Sequence, residues 1–161
     1  MFTGLKKSSD LVQPIQLTTR AAVSAVLAVV VARLLDFEYP IYALIAAVIV
    51  TDLSPAMTKK MGARRMIGSF IGAVVGAATI AFVPINPFTF GLSIAVAMGL
   101  SYWIGVSEAA RLAGYICGII VLGPGEHPWM YAFYRLLETL LGVVIALIIS
   151  FVPKLVGLKE E

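Results

Sequence analysis

Six apolar segments fill this chain, and they fall into two sets of three that match at an offset of seventy residues. The match is clearest where Arg65-Met-Ile-Gly68-Ser69-Phe-Ile-Gly72 lies over Arg135-Leu-Leu-Glu138-Thr139-Leu-Leu-Gly142. Each stretch then runs apolar to a Phe-Val-Pro stop, at Phe82-Val83-Pro84 and, one residue out of step, at Phe151-Val152-Pro153. Three crossings is an odd number, so a second copy must sit upside down relative to the first. Inverted repeats of this kind build transporter and channel folds, with the site between the halves.

Hydrophobic residues make up 60% of the chain and charged residues 13%. Soluble domains carry about 25% charged residues, so the chain reads as an integral membrane protein of one domain. The polar start to Gln16 shows no cleavable signal, because the apolar run after it is long enough to span and lacks a small-residue cleavage site. A net charge of +3 would suggest nucleic acid in a soluble protein; here the basic residues serve orientation. Cys117 is the one cysteine and forms no internal disulfide.

A crossing needs roughly 20 apolar residues. The segments are Ile15–Leu35, Tyr39–Leu53, Arg65–Val83, Pro87–Val106, Ala109–Gly123 and Pro128–Val152. Helices are expected, because an open sheet leaves backbone groups unpaired in lipid. The expected fold is an all-α membrane protein of six transmembrane helices, arranged as two inverted three-helix repeats. Residues 1–14 form a polar cytoplasmic N-terminus, 15–153 the transmembrane domain, with repeats 15–84 and 85–153, and 154–161 a cytoplasmic tail. Placing both termini inside puts Lys6, Lys7, Arg20, Lys59, Lys60, Arg64, Arg65, Arg111, Lys154 and Lys159 on the inner side. Only Arg33 and Arg135 remain outside, as the positive-inside bias requires. The expected location is the inner (cytoplasmic) membrane.

Tyr39–Leu53 and Ala109–Gly123 are short and occupy matching positions in the two sets. Short segments at matching positions of a repeat point to a transport site; the alternative is that they extend into their polar flanks.

Arg135 and Glu138, spaced i, i+3 within the last segment, are the sharpest pair. Charges at such depth cost on the order of 2.5–3.5 kcal/mol each, so both must face protein or water, and their spacing lets them pair. The pair either locks the sixth helix or lines an anion path. Arg65 is the repeat mate of Arg135, and the two are expected as cationic rings at opposite mouths of a path. Arg111, with Glu108 one turn before it, reads as a second internal pair. Arg20 and Arg64 read as head-group snorkellers. Tyr39, Tyr102, Trp103, Trp129, Tyr131 and Tyr134 read as interfacial belt residues. Tyr42 and Tyr115, inside the short helices, offer rings to an aromatic or carboxylate substrate. Asp52 reads as a solvated partner of Lys59 and Lys60.

Gly68, Gly72 and Gly76 make a small-residue face on the third helix, expected to meet Gly142, Ala146 and Ser150 of the sixth or a second protomer. Gly114 and Gly118 make a similar notch on the fifth. His127 is the only histidine, and no metal set, catalytic triad, phosphate loop or dinucleotide fingerprint occurs. Neither an enzyme nor a cofactor is expected.

The run Pro40-x-Tyr42-Ala43, then Thr51-Asp52-Leu53-Ser54, then Arg65-x-x-Gly68-Ser69-x-x-Gly72 is similar to the membrane half of the fusaric acid resistance family, also called aromatic acid exporters. Arg135-x-x-Glu138-Thr139-x-x-Gly142 resembles that family's last membrane helix. The family pattern carries Trp where Tyr42 stands, and many relatives add a cytoplasmic domain or a second membrane half. The plant aluminium-activated malate channels share the architecture. The resemblance implies a six-helix bundle passing small organic carboxylates, aromatic acids among them, out of the cytoplasm. Homo-oligomerisation, as a dimer or trimer, is expected because six short helices enclose little space. The rival expectation is a non-transporting membrane subunit or assembly factor of a larger membrane complex. A proton or cation path through Glu138 and Asp52 is a third, weaker because arginines outnumber acids in the spans.

Overall fold

The computed structural model describes residues 8–123 and 127–152, with the side chains of residues 8–11 outside that description. Lys6, Lys7, Pro124, Glu126, Pro153, Lys154 and Lys159 lie outside the described residues, as does the tail beyond residue 152. Among the described residues, six helices longer than one turn follow in order: α1 (Ser8–Leu34), α2 (Ile41–Val50), α3 (Pro55–Phe82), α4 (Pro87–Trp103), α5 (Ala110–Val121) and α6 (Pro128–Ser150). A 3-10 turn, Ser107–Ala109, leads into α5.

Among the described residues, three helical stretches are long and apolar enough to cross a membrane: Val12–Leu34, Pro55–Phe82 and Pro128–Ser150. Their outward residues, such as Val26, Val30, Phe70, Phe82 and Ile148, are exposed. Water disfavours such a surface and hydrocarbon does not.

The helices end where the chemistry says they should, with two departures from the apolar pattern. Asn86 caps α4 by accepting from the backbone N–H of Phe88 and Thr89 at 2.9 and 3.0 Å, and Pro87 supplies the first turn. Pro55 likewise opens α3, ten residues before the expected Arg65. Apolarity alone misses that start because Lys59, Lys60 and Arg64 are polar, yet all are good helix formers. Likewise α1 begins at Ser8, before the apolar run and with Pro14 inside it. The two short segments are shorter still as helices. With 10 and 12 residues, α2 and α5 rise about 15 and 18 Å. A hydrocarbon core is about 30 Å thick.

Helices α3 and α6 run antiparallel and in contact. Gly62 faces Val143, while Ala73 and Ala77 share a cluster with Ala132. Around this pair α3 packs on α5 and α4, and α6 packs on α2 and α1. The closest approaches are made by glycines. A Cβ at Gly72 would meet Ala113 O, Ile116 Cβ and Cys117 N on α5; one at Gly142 would meet Ala43 O, Ala46 Cβ and Ala47 N on α2. These are the same three contacts displaced by seventy residues. The expected meeting of Gly68, Gly72 and Gly76 with α6 is corrected: they face Ala109 on the 3-10 turn and Leu112, Ala113, Cys117 and Ile120 on α5. Gly114 and Gly118 in turn seat Met98, Ile94 and Phe90 of α4.

Because the atoms opposing Gly72 and Gly142 include backbone, neither helix can yield a side chain to make room. Gly142→Val is expected to cost at least the upper end of the roughly 1–3 kcal/mol typical of overpacking. Gly72→Val should cost about as much. Thermal unfolding in detergent reads both, with Gly91→Val, where nothing lies within 4 Å, as the neutral control.

Candidate functional site

Two arginine centres lie in the bundle. In the α3–α6 register set by Gly62 and Val143, Arg65 falls near the level of residue 140. The axial offset from Arg135 is thus roughly five residues, or about 8 Å. Both are buried, at 1% and 2% exposure. Both guanidinium groups are thus buried within the bundle, each in the first half of one of two antiparallel helices.

Arg135 is enclosed and compensated. Its Nη2 donates to Glu138 Oε1 at 3.2 Å, and Nη1 lies 2.9 Å from Oε2 as an ion pair. The backbone N–H of Tyr39 donates to Glu138 Oε1 at 3.2 Å. Three rings box the guanidinium, with centroids of Tyr42, Tyr39 and Tyr131 at 3.9, 4.4 and 4.8 Å. Cation–π attraction strengthens as water is excluded. Tyr39 and Tyr131, read from the sequence as belt residues, are turned inward onto Arg135. Only their seating on one cation, which spacing does not reveal, distinguishes them from Trp103, Trp129 and Tyr134, which are exposed.

Arg65 is the opposite case. Among the described residues it has no salt bridge and no side-chain hydrogen bond, and its Nε and Nη1 are buried without a partner. The Tyr115 ring centroid is 5.9 Å away. The repeat explains the difference. Where α6 carries Glu138 beneath Tyr39, α3 carries Gly68 beneath Ala109, each position shifted by seventy. The carboxylate that neutralises Arg135 thus has no counterpart beside Arg65.

Arg65 borders a cavity of about 510 Å³, together with Arg64, Arg111, Glu108, Ile49, Met61, Tyr102, Ser107 and Leu112. Three guanidinium groups and one carboxylate leave an excess of two positive charges, with apolar wall beside them. Glu108 pairs with Arg64, which corrects the expected Glu108–Arg111 pairing. The turn at Ser107–Ala109 directs the carboxylate towards α3 instead of along α5.

Of the residues singled out from sequence, Arg65 and Arg111 border the cavity, and Tyr115 lies against Arg65. Arg135, Glu138 and Tyr42 form the enclosed second centre. Arg64 and Tyr102 join the cavity unforeseen. Asp52 accepts from the backbone N–H of Ser54 at 2.9 Å and closes the α2–α3 turn. Arg20 is no snorkeller. It is buried and donates to Leu53 O at 3.0 Å, Val152 O at 2.9 Å and Ser150 O at 3.4 Å. A cation there satisfies carbonyls at the C-terminal ends of α2 and α6. Arg20→Met should lower stability by about 2–3 kcal/mol, the scale of hydrogen bonds to a charged group, as read by thermal unfolding in detergent.

These features define the class: an all-helical, multi-pass membrane protein with an open, cationic cavity between the end of α2, the start of α3 and the α4–α5 connection. The sequence profile of the fusaric acid resistance protein-like family matches residues 27–149. The chain belongs to that family of membrane transport-related proteins. No match was found among curated proteins or solved structures.

Proposed function

We propose that the protein is a permease or channel for small organic carboxylate anions, aromatic acids among the candidates, acting in efflux. The observation that carries this reading is Arg65, a buried guanidinium with unpartnered donors at the edge of a cavity of about 510 Å³. An uncompensated buried charge is costly, and a carboxylate accepted by its planar fork removes that cost. Ile49, Met61 and Leu112 give the apolar body of such an anion a wall. Arg111 and Arg64 raise its local concentration.

Six crossings in two inverted repeats accompany this reading, with both termini cytoplasmic in the inner membrane. The contacts of Gly72 and Gly142, displaced by seventy residues, support the repeat. In that orientation the cavity, between the end of α2, the start of α3 and the α4–α5 connection, opens to the cytoplasm. The Arg135 centre then closes the other side. Homo-oligomers supply the remaining walls. Flux is passive or proton-linked.

Flux into proteoliposomes of benzoate, malate and chloride tests the reading. Benzoate or malate flux well above that of empty vesicles is expected, exceeding chloride. No carboxylate flux from folded, oligomeric protein, with constant co-purification of a larger complex in mild detergent, would instead make it a non-transporting subunit.

A further inference from the structure

The cavity already contains one carboxylate of the protein's own. Glu108 stands on the Ser107–Ala109 turn, and its side chain reaches across to Arg64. The turn is entered through Gly105, whose φ of +82° suits glycine. It is held by backbone bonds from Gly105 N to Tyr102 O and from Ala109 N to Val106 O. The Arg64 and Glu108 side chains are 29% and 57% exposed, so the pair is partly hydrated and easily exchanged. Arg65, in contrast, is buried and unpartnered. The cavity therefore offers two kinds of anion position, one at the unpartnered donors of Arg65 and one at Arg64, which Glu108 engages.

We infer that Glu108 is an internal competitor that sets which anions the cavity prefers. This rests on the carboxylate reading of the cavity and adds the residue that discriminates among carboxylates. A monocarboxylate binds at Arg65 and leaves the Arg64–Glu108 pair closed. A dicarboxylate reaches a second guanidinium at Arg64 only by displacing Glu108, so the native protein favours monoanions. Removing the Glu108 charge frees Arg64 as a second, fork-shaped acceptor site.

The test is titration of benzoate and phthalate into purified protein in detergent, comparing native protein, Glu108→Gln and Arg65→Met. For Glu108→Gln, benzoate should tighten at most about twofold and phthalate about fivefold, the scale released by opening one exposed ion pair. Glu108→Ala is a second release variant and should behave alike. Native protein that binds benzoate, with Glu108 variants that leave phthalate unchanged or improve both ligands equally, would overturn the competitor role and leave the Arg65 site standing. Absence of binding to native protein and all variants would overturn both.

Discussion

Arg65→Met is expected to make the protein more stable and unable to bind a carboxylate. The two signs together are diagnostic. A guanidinium kept for structure has hydrogen-bond or ion-pair partners, and losing it costs stability; Arg65 has none of either among the described residues, only the Tyr115 ring at 5.9 Å. Removing buried, unsatisfied donors should recover about 1–3 kcal/mol, seen as a higher midpoint of thermal unfolding in detergent. Methionine keeps the length and apolar stem of the side chain. Benzoate affinity should fall about 100-fold, the scale of one fork-shaped, charge-assisted contact. Functional sites commonly hold residues that cost the fold stability. A variant both less stable and still binding would identify Arg65 as a structural element.

Glu138→Ala should be the most destabilising single change in the bundle. It strips Arg135, 2% exposed, of its one ion-pair partner among the described residues. Breaking one partner of a buried pair costs about 3–5 kcal/mol. It also frees the N–H of Tyr39, which now donates to Glu138 at 3.2 Å. The double variant Arg135→Leu with Glu138→Leu should recover most of that loss, because removing both charges also removes both desolvation costs. A double-mutant cycle of unfolding midpoints reads the coupling. Additive losses would mean that the tyrosines, not Glu138, hold Arg135 in place.

What the sequence reveals follows from the distance over which each interaction acts. The Arg135–Glu138 pair is legible because its partners sit one turn apart on a single helix, where spacing fixes geometry. The six helices are legible because apolarity marks them, though α3 starts at Pro55, where it runs through Lys59, Lys60 and Arg64. Arg20 is not legible. Its partners are carbonyls near residues 53 and 150, and no side-chain type announces them. Nor is the box around Arg135, since Tyr39, Tyr42 and Tyr131 converge from two segments far apart in sequence. The absence of a carboxylate beside Arg65 was visible all along, in Gly68 aligned with Glu138. It acquires meaning only once Arg65 is seen to be buried.

Radiolabelled benzoate flux in proteoliposomes, with native protein and Arg65→Met reconstituted at equal density, tests the central claim most directly. The account predicts clear carboxylate flux from native protein and its collapse in the variant, with the variant at least as heat-stable. Undiminished flux through a folded Arg65→Met protein would contradict it and move the anion's route away from this cavity.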